Sequence, residues 1–313
     1  MSWIFLAVLA HFLYAITFIA DRVFLTKTFK KPIVYTFYSG LLNGSVLIFF
    51  LAPVLLPQVK TPWFEFSLNL YIPSDFDLAI NFITGAFFLL ALYLFYRALV
   101  KYDSSQMVPL VGSLIPLFSL FLAWRFLGET LSIQELIAFF FLVVGGIVIS
   151  FKKNVFVSLR CFSFGLTAAL AFAIFFVLSD YAYQTQPFFN SFVWIRVGTF
   201  IFSLILLLSP FLRKIIFTRS KAVQKKTTVS TALIGFRGIS AIATFSLHFA
   251  INKTKVSLVN ALQGSQYVFL IILVIIMAKK FPFLLLEEVK TRTLFQRIVA
   301  ILLIGGGLMA LAF

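Results

Sequence analysis

Long apolar stretches separated by short polar breaks fill nearly the whole chain. Ten can be marked off, at about residues 2–20, 33–56, 78–100, 106–127, 133–151, 161–180, 188–212, 229–250, 256–277 and 294–313. Each approaches the ~20 residues that a helix needs to cross a hydrocarbon core of ~30 Å. The runs are continuously apolar and do not alternate as barrel strands do, so they predict membrane-spanning helices. Polar start signals precede three of them. Ser74 with Asp77 reads as an N-cap pair, and Ser132 with Glu135 and Thr293 with Gln296 read as capping boxes.

The pattern repeats. A shift of 152 positions lays Ala98 on Ala250, Lys101 on Lys253, Ser105 on Ser257, Leu110 on Leu262, Gly112 on Gly264 and Ser113 on Ser265. Further on, a shift of 161 lays Gly145-Gly146 on Gly306-Gly307, and earlier a shift of 159 lays Asp21 on Asp180. This predicts two five-helix repeats, residues 1–155 and 156–313. Five is odd, so the second copy enters the membrane from the opposite side and the repeats are inverted. That plan recurs in secondary transporters, whose solute site lies near the midplane between the copies.

Composition agrees with a bilayer environment: 62% of residues are hydrophobic and only 12% are charged, against about 25% charged in a soluble domain. A net charge of +16 in a soluble protein would point to nucleic acid. Here the basic residues crowd into the breaks after spans one, three, five, seven and nine, which hold 20 of the 26. The positive-inside rule therefore places those breaks in the cytoplasm and both termini outside it, in the cell membrane. The run Arg213 to Lys226 reads as a topological anchor, and no nucleic-acid partner is expected. The expected partners are the bilayer and a small solute, with oligomeric state open. Cys161 is the single cysteine and His11 and His248 are the two histidines, so neither a metal nor another cofactor is expected. Met1 to Ala20 has no basic leading region or small-residue cleavage site and reads as a retained span.

Gly128-Glu129-Thr130-Leu131-Ser132, with Gln134 and Gly145-Gly146 beyond it, resembles the EamA-type module of the drug/metabolite transporter superfamily. So does Tyr96-Arg97-Ala98-Leu99 leading through Ser105 and Pro109 to Pro116. The likeness is good over residues 96–150 and looser over 249–313. It implies ten helices in two inverted five-helix repeats and carrier-type transport of small metabolites or drugs. Two features depart from the pattern. Lys280-Phe281-Pro282 replaces the Gly-Glu signature in the second copy, and the break between spans two and three is acidic where many members are basic.

Ionisable groups inside spans are the first candidates for function, because each is costly unless it faces protein or water. Arg196 and Arg237 qualify, and each is read either as snorkelling to an interface or as meeting a polar solute. Span one carries no acid, which argues against an organic-cation exporter and toward an anionic, zwitterionic or neutral solute. Asn260, Gln263, Gly264 and Tyr267 follow helical spacing and, with Ser265 and Gln266, predict a polar face, either a helix-packing surface or a cavity wall. Opposite them, Pro109, Gly112, Ser113 and Pro116 predict a kinked hinge. Gly40 and Gly44 predict close helix contact, and His11 beside Tyr14 reads as an interior histidine. Glu129 reads as a helix-end residue. The leading expectation is a carrier working by alternating access and not an enzyme. A flippase for a lipid-linked intermediate is the alternative, and a lipid-modifying enzyme stands further behind, since Glu287-Glu288 and Asp75/Asp77 are its only close acid pairs.

Overall fold

The structure is a computed structural model that describes residues 2–29, 31–51, 70–102, 104–150, 158–218, 226–277 and 294–312. Among the described residues every regular element is helical. The helices are α1 (Ser2–Val23), α2 (Pro32–Leu42, continued by a 3-10 segment Asn43–Leu51), α3 (Asp75–Lys101), α4 (Ser104–Leu127), α5 (Ile133–Ser150) and α6 (Leu159–Thr185). Then come α7 (Phe188–Ile205), α8 (Pro210–Phe217), α9 (Lys226–Lys253), α10 (Val256–Ala261), α11 (Gln263–Met277) and α12 (Leu294–Ala312). Eight segments are long and apolar enough to cross a membrane, with α10 and the start of α11 together forming one of them. Ile133–Val148 and Ile298–Ala312 are shorter apolar helices. The chain is a multi-pass membrane protein.

The predicted starts hold where they can be seen. The Ser132 amide donates to Glu135 Oε2 at 2.7 Å and the Glu135 amide donates to Ser132 Oγ at 3.2 Å, completing a capping box. Ser74 Oγ accepts from the Asp77 amide at 3.2 Å. Thr293, Glu287-Glu288 and Lys280-Phe281-Pro282 lie outside the described residues. Helix α4 ends at Gly128, whose φ of +67° is a left-handed conformation open to glycine at little cost. A Cβ there would touch nothing within 4 Å, so Gly128→Ala isolates backbone strain. It is expected to cost about 1–2 kcal/mol, read as a lower melting temperature of the purified protein.

Two boundaries need correction. Span one continues three residues beyond its predicted end, which takes Asp21 into α1. The run 188–212 is two helices, because Ser209 caps a new start and Pro210, lacking an N–H, occupies its first position. Helix α4, for which a kink is predicted, is helical throughout, Pro109 and Pro116 included. A break in the helix falls at Leu262, between α10 and α11, a residue that is itself neither proline nor glycine.

Packing is close where side chains are smallest. Helix α5 lies along α12, α3 along α6 and α7, α1 along α9 and α11, α4 along α6 and α10, and α2 along α7. A Cβ on Gly145 would fall 2.7 Å from Ile304 Cγ1, and one on Gly307 2.7 Å from Leu142 Cγ, so α5 and α12 each offer the other a glycine. Gly40 and Gly44 meet Ser203 and Phe200 of α7. Large apolar side chains such as Phe5, Phe126 and Phe140 face outward, as a lipid-exposed surface requires.

Candidate functional site

Helices α1, α3, α4, α6, α9, α10 and α11 line a cavity of about 170 Å³. Its wall is mainly aromatic and aliphatic, including Phe88, Phe95, Phe172, Phe175 and Phe176. Polar groups gather at two places. Asn260, Gln263 and Gln266 stand on α10 and α11 near His11 of α1, while Asp21 and Tyr96, toward the ends of α1 and α3, stand beside Arg237 of α9. Asn260 Nδ2 donates to Ser119 Oγ at 2.8 Å, fixing the amide across α4. Tyr14 donates to Thr244 Oγ1 at 2.9 Å and ties α1 to α9 along the wall.

The two intramembrane arginines have different surroundings. Arg237 Nη2 lies 3.1 Å from Asp21 Oδ1 and 3.3 Å from Tyr96 Oη, and its guanidinium sits over the Tyr35 ring at 4.8 Å. Tyr35 in turn donates to Asp21. The expectation that span one holds no acid is therefore corrected: Asp21, one residue past the drawn boundary, is in α1 and in the cavity wall. Arg196 is 4% exposed and its Nε and Nη2 have no hydrogen-bond partner. Its guanidinium carbon lies 4.9, 5.8 and 5.0 Å from the ring centres of Phe88, Phe175 and Phe192. Phe88 and Phe175 line the cavity, so the charge stands just behind the aromatic wall. Cation–π attraction offsets part of the cost of burying it, and among the described residues no anionic partner does.

Arg237, Asn260, Gln263 and Gln266 are thus brought together on one cavity. Three others turn to backbone: Ser113 Oγ donates to the Leu110 carbonyl at 3.1 Å, Ser265 Oγ to Leu262 at 2.7 Å and Tyr267 Oη to Val108 at 3.0 Å. Tyr267 packs on Gly112, where a Cβ would fall 1.6 Å from the phenolic oxygen. Gly264 packs on Gly146 of α5. The predicted common face of Asn260, Gln263, Gly264 and Tyr267 was drawn on an unbroken helix. The interruption at Leu262 shifts its phase, leaving Asn260 and Gln263 on the cavity while Gly264 and Tyr267 face α5 and α4. Among the described residues no histidine, cysteine and acid cluster suits a metal.

Residues 1–151 match the family model of the EamA-like transporter family, within the drug/metabolite transporter superfamily. Over those residues, a little under half of its length, the chain is an EamA-like transporter by its match to the family. No curated protein matches the sequence. A solved crystal structure of a protein shares the fold of this EamA-like chain, with a TM-score of 0.64 at 17% identity over 98% of this chain and 94% of the other. The family is one of membrane transporters of small molecules.

The Gly-Glu signature of the EamA-like module has a visible task. Glu129, held in place after Gly128, accepts hydrogen bonds from the Ser257 hydroxyl and from the amides of Val256 and Ser257. It thereby satisfies the start of α10, the counterpart of its own helix, which agrees with its reading as a helix-end residue. Beside it are Asp180, Gln184 and Lys255, the last bonded to Glu135 Oε2 at 2.5 Å. Burial raises the Glu129 carboxyl above the ordinary range, outweighing the bonds that favour its charge. The folded state then holds this proton more tightly than the unfolded chain, and stability falls as pH rises through that window. Glu129→Gln is expected to flatten that part of the profile, measured as melting temperature between about pH 4 and about pH 7.

Proposed function

We propose that this EamA-like transporter is a secondary carrier moving a small anionic, zwitterionic or neutral metabolite across the cytoplasmic membrane by alternating access. The observation that carries the reading is Arg196: a buried guanidinium with no acid partner among the described residues, behind the wall of a cavity of about 170 Å³. Such a charge gives the cavity a positive potential, because low-dielectric surroundings screen it weakly. Arg237, Asn260, Gln263 and Gln266 orient the solute. Tyr267, bonded to the Val108 carbonyl, holds α11 against α4, while Ser113 and Ser265 bond to carbonyls three residues back along their own segments.

The architecture proposed is ten helices in two inverted repeats, 1–155 and 156–313. In support, helices that correspond under the duplication pack on one another, α5 on α12, α4 on α10 and α2 on α7, and the contact of α3 with α6 is answered by that of α9 with α1. Rocking of one repeat against the other would exchange exposure of the cavity. Pro109, Gly112 and Pro116 in α4, facing the interruption at Leu262, supply the hinge. Both termini lie on the non-cytoplasmic side, to be read from a reporter fused after Phe313.

The test is a thermal-shift screen of the purified protein against small metabolites, followed by counterflow in proteoliposomes for each stabilising compound. Exchange of at least one such compound is expected. Stabilisation by several with exchange of none would sink the carrier reading.

A further inference from the structure

Away from the cavity, three exposed basic side chains stand at one end of the α3–α6 pair. Arg97 and Lys101 lie one turn apart at the close of α3, and Arg160 opens α6, one turn before Phe164. The Arg97 guanidinium carbon lies 5.2 Å from the centre of the Phe164 ring, and Lys101 Nζ lies 4.8 Å from that centre and 5.7 Å from the centre of Tyr102. The two rings are 5.7 Å apart and pack on the core around Ala98, Met107 and Cys161, which gives both cations a fixed floor. Cation–π attraction is weak at an exposed site, and two like charges held against one ring repel. Among the described residues neither they nor Arg160 make an ion pair or a side-chain hydrogen bond.

We propose that this end of α3 and α6 is a binding site for an anionic phospholipid of the cytoplasmic leaflet, its phosphate seated between Arg97 and Lys101 and the rest of its headgroup reaching Arg160. One helical turn, roughly 6 Å along the axis, separates Arg97 from Lys101, a distance that one phosphate bridges with charge-assisted bonds to both. The surface beside them is apolar and open: Val100 is 47% exposed, Phe162 41% and Leu159 89%. Acyl chains cover such a surface, whereas a soluble anion would gain the charges alone. Both helix ends also adjoin the breaks that hold most of the basic residues, the side on which basic pockets between spans meet anionic headgroups. Arg97, Lys101 and Arg160 take no part in the cavity wall, so the site rests on neither the solute nor the carrier reading.

The test titrates dioleoylphosphatidylglycerol, dioleoylphosphatidylcholine or glycerol phosphate into the purified full-length protein in detergent and follows the melting temperature. A ligand that binds only the folded state stabilises it, so phosphatidylglycerol is expected to raise the melting temperature saturably and the other two are not. Arg97→Gln/Lys101→Gln should raise the half-saturating lipid concentration roughly thirtyfold. Arg160→Glu, on the exposed first turn of α6, should raise it as well, so the outcome does not hang on one variant folding. Arg213→Gln/Lys214→Gln on α8 removes the same charge from another exposed surface and should respond as wild type does. No response to phosphatidylglycerol, an equal response to phosphatidylcholine, an unchanged response in the site variants, or an equal loss in the α8 variant overturns the proposal. Saturation by glycerol phosphate alone overturns it too, since the seat would then be one for a soluble anion.

Discussion

Gly85→Val is expected to prevent α3 and α7 from closing on each other. A Cβ at position 85 would stand 2.5 Å from the Thr199 amide nitrogen and 2.6 Å from the Ile195 carbonyl oxygen. Both are backbone atoms of α7 and neither can rotate away. Thr199 Oγ1 also donates to the Gly85 carbonyl at 3.2 Å, a bond that only this close approach permits. Ordinary overpacking costs about 1–3 kcal/mol when side chains can shift. Here whole helices must separate, and the loss should exceed that range and take a large share of the roughly 5–15 kcal/mol that holds a typical domain. The expected result is aggregation or no detectable folded peak on size exclusion in detergent. Gly235→Ala, where a Cβ meets nothing within 4 Å, is the control and should melt as wild type does.

Replacing Arg196 by glutamine should move stability and transport in opposite directions. The guanidinium is 4% exposed without an acid partner among the described residues, so its removal relieves a buried charge, and the melting temperature should hold or rise. Transport should fall. Across the aromatic wall, a separation of ~8 Å and an effective dielectric of ~20 give about 2 kcal/mol of attraction for a carboxylate, or roughly thirtyfold in kcat/KM. Arg237→Gln should behave differently, because it strands Asp21 and lowers the melting temperature as well. Counterflow and melting curves on the two variants separate these outcomes.

The sequence made the two arginines conspicuous because a charge inside an apolar run is rare and local. Their environments were not legible. Arg237 and Asp21 lie 216 positions apart, and no spacing rule links them. Asp21 falls outside span one because hydropathy ends that span at Ala20, whereas the helix runs to Val23. Capping at Ser132 was readable because its partner is three residues away. Leu262 was not, since it is itself neither proline nor glycine, and the four-residue face drawn across it went out of phase. The carboxamides Asn260 and Gln263 were found because amides crowding an aliphatic helix need a partner or water.

The account turns on the cavity being the solute site, exposed in turn to each side of the membrane. Thr244 in its wall, replaced by cysteine in a Cys161→Ala background, can be labelled in proteoliposomes with a membrane-impermeant thiol reagent added to either face. Labelling from both faces is predicted, slowed from each by the solute that counterflow identifies. Labelling confined to one face at a rate the solute leaves unchanged would contradict alternating access through this cavity.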